Sequence, residues 1–375
     1  MKTKFWPSPN TSNEMSTRLL AWGANNHGQL GLGLKSDQCL LPMEVLSEGT
    51  ELDMRDVISI AGGGRHTLIM DARGLLFSCG CNVMGQLGRP TDEENAKDSQ
   101  LGTVCLDEED RAINIACGWD SSYCIAWGNK LLVWGSNTYG QLGIPKKEYS
   151  SVAKPMKVPN LNYVIAVSAG VRHVLVLTKD GNVLACGSGN KGQLGILDDS
   201  GKPVKLLEEF REVRGLSNID QVACGQNFSV ALDSKGQIWV WGDNHYGQLC
   251  LDPSTDPTVP TPKCLPSSSS VVVWGRNNYG QLGCHESMRP ESWKPQLIDQ
   301  LEDVCRMAVG AEHNLAMTEA GKVFSWGWNE HGNCGVGNDK NVLSPTQVKI
   351  APTRKVVLIG AGSGHSFALV EDVNS

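Results

Sequence analysis

Short apolar runs closed by glycine recur along the chain: HVLVLTKDG (His173–Gly181), QIWVWG (Gln237–Gly242) and KVFSWG (Lys322–Gly327) are typical. Each is too short for a helix with a buried stripe, and the runs are rich in branched and aromatic side chains, so they predict β-strands joined by tight turns. Most runs belong to one of two recurring phrases. The first, in the form WGxNxxGQLG, starts at Trp22, Cys79, Trp134, Cys186, Trp241, Trp274 and Trp326, with successive starts 57, 55, 52, 55, 33 and 52 residues apart. Its Asn, as at Asn25, Asn137 and Asn244, suits a turn whose side chain bonds nearby backbone, its Gly six residues after the aromatic suits a positive φ, and its Leu supplies an apolar anchor. The second phrase precedes the first by thirteen residues: GGRH (Gly63–His66), GWDS (Gly118–Ser121), GVRH (Gly170–His173), GQNF (Gly225–Phe228) and GAEH (Gly310–His313), with a last copy, GSGH (Gly362–His365), near the C-terminus. Each opens a strand that ends in a glycine turn, so the unit is a strand–turn–strand hairpin.

A regular period near fifty residues marks one repeat domain rather than two or three unrelated ones. The chain opens on a first phrase without its hairpin and closes on a hairpin without its first phrase, so the two ends complete one unit and close a ring, which removes the exposed edges of an open array. The expected fold is all-β: a seven-bladed β-propeller over residues 19–371, preceded by a disordered tail at 1–18. One blade, around Val271–Gly283, is expected to be truncated. The 33-residue spacing lacks about 22 residues, the length of one GxxH hairpin, so the chain reads as marginally stable or as a shortened version of a longer one.

The 42 glycines and 19% charged residues fit this reading, and the net charge of −7 gives no global reason to bind nucleic acid or anionic membrane. No apolar stretch is long enough to span a bilayer and the N-terminus lacks a signal-peptide core, so a soluble protein of the cytoplasm is expected, with the nucleus as an additional compartment. The 13 cysteines lack CxxC spacing and read as small buried hydrophobes in a reducing compartment. GSGNKG (Gly187–Gly192) matches a dinucleotide-binding fingerprint, yet the repeat continues in register after it and no helix is expected there. His66, His173, His313 and His365, one per blade, are too dispersed for a metal site and read as hydrogen-bonded structural histidines with partner contact as the second role. No metal, cofactor, nucleophile–base pair or phosphate loop emerges, so function is expected in recognition. The turn residues before the His positions vary within a fixed frame: Arg65, Trp119, Asp120, Arg172, Gln226, Asn227 and Glu312. A mixed-charge ring around a Trp is a candidate partner-binding face.

The phrase WGxNxxGQLG, in seven copies, resembles the regulator of chromosome condensation family of propellers from about Leu19 to Val370. Trp22–Gly33, Cys117–Ser122 and Phe324–Gly337 are most similar to its secretion-regulating guanine nucleotide exchange factor branch. The resemblance implies nucleotide exchange on a Ran-like small GTPase in secretion or membrane traffic. The alternative it implies is a non-catalytic adaptor with exocyst-type partners. Ultraviolet receptors of the same family carry Trp in repeated GWRHT segments; here only Trp119 stands at that place, so photoreception is not expected.

Overall fold

The computed structural model describes residues 16–90, 97–265, 272–284, 291–298 and 300–373. Strands β1 (Thr17–Asn25) and β2 (Ser36–Glu44) share a sheet with β25 (Arg354–Ala361) and β26 (His365–Asp372), in the order β2-β1-β26-β25. This is blade 1, and it joins the two ends of the chain through pairs such as Thr17 with Glu371 and Gly23 with His365. Blade 2 holds β3 (Val57–Gly62), β4 (His66–Asp71), β5 (Leu76–Gly80) and β6 (Gly102–Thr103). Blade 3 holds β7 (Ala112–Cys117), β8 (Ser121–Ala126), β9 (Lys130–Ser136) and β10 (Ser151–Lys157). Blade 4 holds β11 (Val164–Ala169), β12 (His173–Thr178), β13 (Val183–Ser188) and β14 (Leu206–Glu212). Blade 5 holds β15 (Ile219–Cys224), β16 (Phe228–Asp233), β17 (Ile238–Asp243) and β18 (Thr258–Cys264). Among the described residues blade 6 holds β19 (Val272–Arg276) and β20 (Glu291–Leu297), and blade 7 holds β21 (Val304–Val309), β22 (His313–Thr318), β23 (Val323–Gly327) and β24 (Val342–Gln347).

Among the described residues the propeller therefore has six four-stranded blades and one two-stranded remnant. By register, β19 and β20 correspond to the third and fourth strands of the other blades, and the strands missing are the inner two. Of the residues expected to form a disordered tail at 1–18, Thr17 and Arg18 pair in β1, and residues 1–15 lie outside the described ones. Several outermost strands carry proline, at Pro42, Pro155, Pro260, Pro262, Pro295 and Pro345. A residue without an N–H is tolerated at an edge and blunts pairing with another chain.

The core lies between blades. Trp22, Trp134, Trp241 and Trp326 are fully buried, each with its indole N–H on a carbonyl of the blade before it. Among the described residues the cysteines form no disulfide; Cys79 and Cys186 are buried as expected, whereas Cys105, Cys264 and Cys305 are exposed, on strand edges and loops that no blade covers. GSGNKG leads from β13 into a turn and then a bridge between Leu197 and Pro203, with no helix to hold a phosphate. Among the described residues no helix is long and apolar enough to cross a membrane.

Candidate functional site: one face built from two sets of turns

Each GxxH turn starts the second strand of a blade and each WGxN turn follows the third. Antiparallel pairing of these strands puts the two turns at the same end of the sheet: His66 opposite Gly80, His173 opposite Gly187, His313 opposite Gly327. The six GxxH turns converge on one pocket of about 200 Å3 at the ring axis, lined by Gly62–Gly64, Cys117–Trp119, Ala169–Val171, Cys224–Gln226, Val309–Ala311 and Ala361–Ser363. Backbone bonds stitch neighbouring turns together, from Gly64 N to Trp119 O, Val171 N to Gln226 O, Ala311 N to Ser363 O and Ser363 N to Gly63 O. The turn residues singled out by sequence thus share one rim.

On that rim Arg65 Nη2 donates to Asp120 Oδ1 at 3.1 Å, and Gln86 Nε2 approaches the same oxygen at 3.4 Å. Trp119 is 40% exposed beside them, packed over Gly64. The Arg172 guanidinium lies 4.5 Å from the Tyr139 ring centroid, in cation–π geometry. Gln226 Nε2 reaches Ala311 O at 3.4 Å, and Asn227 lends its backbone carbonyl to Asp243 N. Glu312 accepts from Arg276 at 2.8 Å and from Gln281 at 2.5 Å. Arg276 also stands 5.1 Å from Tyr246 and 5.3 Å from Tyr279, which continues through Trp328 to His331. This second cluster, Tyr246, Arg276, Tyr279, Trp328 and His331, escaped sequence reasoning. The signal was available: Tyr139, Tyr246, Tyr279 and His331 all stand five residues after the start of their WGxN phrase.

The four histidines have a different role. Each donates from Nε2 to a hydroxyl of the next blade: His66 to Ser122 at 2.9 Å, His173 to Ser229 at 3.0 Å, His313 to Ser366 at 2.9 Å and His365 to Thr67 at 3.0 Å. Every one of those hydroxyls itself donates to a backbone carbonyl, so the histidine supplies the proton and is the Nε2–H tautomer. Nδ1 is then a buried acceptor with no partner in all four. Burial pushes the pKa down to about 3 for His66 and His365, with the Arg65 charge adding at His66, and to about 4 for His173 and His313. These rings are neutral, essentially inaccessible and out of reach of any partner, which corrects the second role expected for them. Among the described residues no group of three or more His, Cys, Asp or Glu side chains could hold a metal ion.

One carbonyl per blade organises the latch, that of the Gln or Asn in the GQLG or GNCG segment. Asn333 O accepts Trp22 Nε1 and Ser366 Oγ; Gln86 O accepts Trp134 and Ser122; Gln193 O accepts Trp241 and Ser229. Gln29 O takes Thr67 and the weaker Cys79 thiol, Gln141 O takes Tyr123 and Cys186, and Gln281 O takes Trp326 and the Asn314 amide. Six carbonyls have two side-chain donors. Gln248 O, facing blade 6, has one among the described residues, Trp274 Nε1 at 3.0 Å. In blade 5, whose latch would need a hydroxyl from the missing hairpin, the His position is Phe228.

Comparison with known proteins agrees with this architecture. The RCC1-like domain family matches residues 18–368. Proteins named secretion-regulating guanine nucleotide exchange factor from Mus musculus and Bos taurus are 34% and 33% identical over 94% and 97% of this chain and 83% and 86% of their own lengths. Among solved structures, Prp20p of Saccharomyces cerevisiae superposes with a TM-score of 0.83 over 96% of this chain and 93% of its own, at 22% identity. Repeat, ring closure and latch all point one way: the chain belongs to the RCC1-like domain family.

Proposed function

We propose that the rim bearing Arg65, Trp119, Asp120, Arg172, Gln226, Asn227 and Glu312 binds a small GTPase and speeds release of its guanine nucleotide. Exchange of this kind needs no bond-making group: a surface that holds the nucleotide-free form more tightly than the loaded form expels the nucleotide. The observation that carries the reading is the convergence of six turns on one mouth. It gathers an exposed Trp, two Arg-centred clusters and a row of tyrosines, the side-chain types that dominate protein interfaces. The names of the two mammalian relatives support the exchange activity and a setting in secretion. The binding of Gsp1p is described for Prp20p. Stopped-flow release of a fluorescent guanine nucleotide from a panel of small GTPases tests the proposal. Acceleration of one member is expected; none across the panel rejects exchange and leaves a non-catalytic adaptor.

A further inference from the structure

The truncated blade leaves a slot in the ring with defined walls. Other neighbouring inner strands pack closely on one another, but β15 and β21, on either side of blade 6, do so far less, although Gln226 bridges their turns to Ala311. In the complete blades 2, 3 and 4 the second strand is buried throughout. In β16 the alternate residues Phe228, Val230 and Leu232 are half-exposed. On the opposite wall Met307 is 42% exposed where Ile115 and Val167, at the same register, are buried, and Val309 is 66% exposed. At the back lies β19, whose Trp274 is only half-buried. In the other six blades a GxxH turn carbonyl presses against the glycine that follows the aromatic, under 3.0 Å from where its Cβ would stand, and accepts the next N–H. At Gly275 the nearest atom is Gln248 Cα at 3.4 Å, and among the described residues no turn carbonyl meets Arg276.

We propose that this slot is a docking site for a β-hairpin from a second polypeptide, whose second strand pairs antiparallel with the free edge of β19. The inference does not rest on the GTPase reading of the rim, although Arg276 and Val309 border both. It continues a blade-to-blade interface that the molecule makes at every other position, so the chemistry of the occupant follows from those copies. Alternate apolar side chains fill the space between Val230 and Met307. A hydroxyl or amide side chain at the start of the second strand supplies the absent donor to Gln248 O, as Ser229 does for Gln193 O and Asn314 for Gln281 O. An acidic residue in the turn meets Gln248 Nε2, as Asp120 meets Gln86 and Glu312 meets Gln281. Two such strands and their turn need about as many residues as Ile219–Gly236; residues 266–271, next to β19, are too few. A second copy cannot bring its own β19 to this one, because both edges are recessed between blades.

The probe is a synthetic peptide of this chain's own Ile219–Gly236 carrying Asn227→Asp, which supplies the acidic turn residue together with Ser229 as donor and Phe228, a side chain that asks for no further latch. Hydrogen–deuterium exchange reads the amides of Val273–Arg276 with and without peptide. The expected result is at least tenfold slower exchange there, together with a higher Tm, both lost in the Met307→Glu/Val309→Glu double variant. Both positions are exposed, so the variant keeps the parent melting temperature. Absence of protection at hundreds of micromolar peptide overturns the proposal. So does protection that survives the double variant, protection present before peptide is added, or a concentration-dependent dimer in sedimentation that protects the same amides.

Discussion

The four buried histidines make acid stability a sharp test of the latch. Each is neutral in the folded protein, with a pKa near 3 or 4 set by burial, and returns to about 6.5 on unfolding. Below that value the unfolded chain binds protons that the folded chain refuses, so stability is full above about pH 7 and falls as pH drops from 6.5 toward 4. Going from pH 7.5 to 5.5 costs about 1.4 kcal/mol per histidine, roughly 5 kcal/mol for the four, and roughly 8 kcal/mol by pH 5. A domain's net stability is about 5–15 kcal/mol, so unfolding near pH 5 is expected, well above the range in which carboxylates titrate. Partly buried His27, whose pKa is lowered by desolvation and by Arg65 and Lys35, adds in the same direction. Urea denaturation at pH 7.5, 6.5 and 5.5 with fixed m-values measures the loss. His173→Phe, which copies the Phe228 that blade 5 carries at the equivalent place, should remove about a quarter of the pH dependence while costing about 1 kcal/mol at pH 7.5. A free energy at pH 5.5 within about 1 kcal/mol of that at pH 7.5 would show that these rings are not held neutral.

Three further outcomes follow from the same geometry. Inserting a copy of Val164–Gly181, which holds both inner strands, before Val271 should raise the Tm by many degrees, since four or five buried apolar side chains contribute about 6–15 kcal/mol gross; an unchanged Tm means that blade 6 needs nothing more. Trp119→Ala combined with Arg172→Glu should abolish partner capture and nucleotide release while melting near the parent, both residues being on the surface; retained binding moves the interface elsewhere. Gly242 and Gly275 have similar φ values, +112° and +109°, but a Cβ at Gly242 would stand 2.7 Å from Asn227 O whereas one at Gly275 would meet nothing closer than 3.4 Å. Gly275→Ala should therefore cost only the backbone strain of about 1–3 kcal/mol and Gly242→Ala clearly more, as read by chemical denaturation; equal costs would mean that blade 6 is closed by other atoms.

The period, the closure of the ring by its two ends and the loss of one hairpin are legible in the chain because they reside in spacing, and WGxN and GxxH each carry their own turn chemistry. The phase of Arg65, Asp120 and Arg172 likewise suffices to put them on one rim. What spacing hides is contact between blades. The Gln of GQLG looks like a polar turn residue, and nothing near it announces that its carbonyl receives an indole from the following blade. The histidine latch is half visible: His66 and Ser122, like His173 and Ser229, are 56 residues apart, but only the folded ring shows that this interval is a contact. The arc from Tyr246 to His331 does not follow from the GxxH turns, because its members come mostly from the other set, and only antiparallel pairing brings the two sets to one face.

The pairing of β1 with β26 has a consequence for the order of events during synthesis. At about 5–20 residues per second, roughly 20–70 s separate the making of Thr17–Asn25 from that of its partner His365–Asp372. For that interval the first strand of the chain has its outer neighbour and no inner one, and Leu19, Ala21 and Trp22 have no finished core to enter. Blades 2 to 5 are each continuous in sequence and can form as they emerge. The ring's earliest strand is thus the last to be locked, so the nascent ring is an open horseshoe whose leading end must be kept from the wrong strand until the hairpin of β25 and β26 arrives.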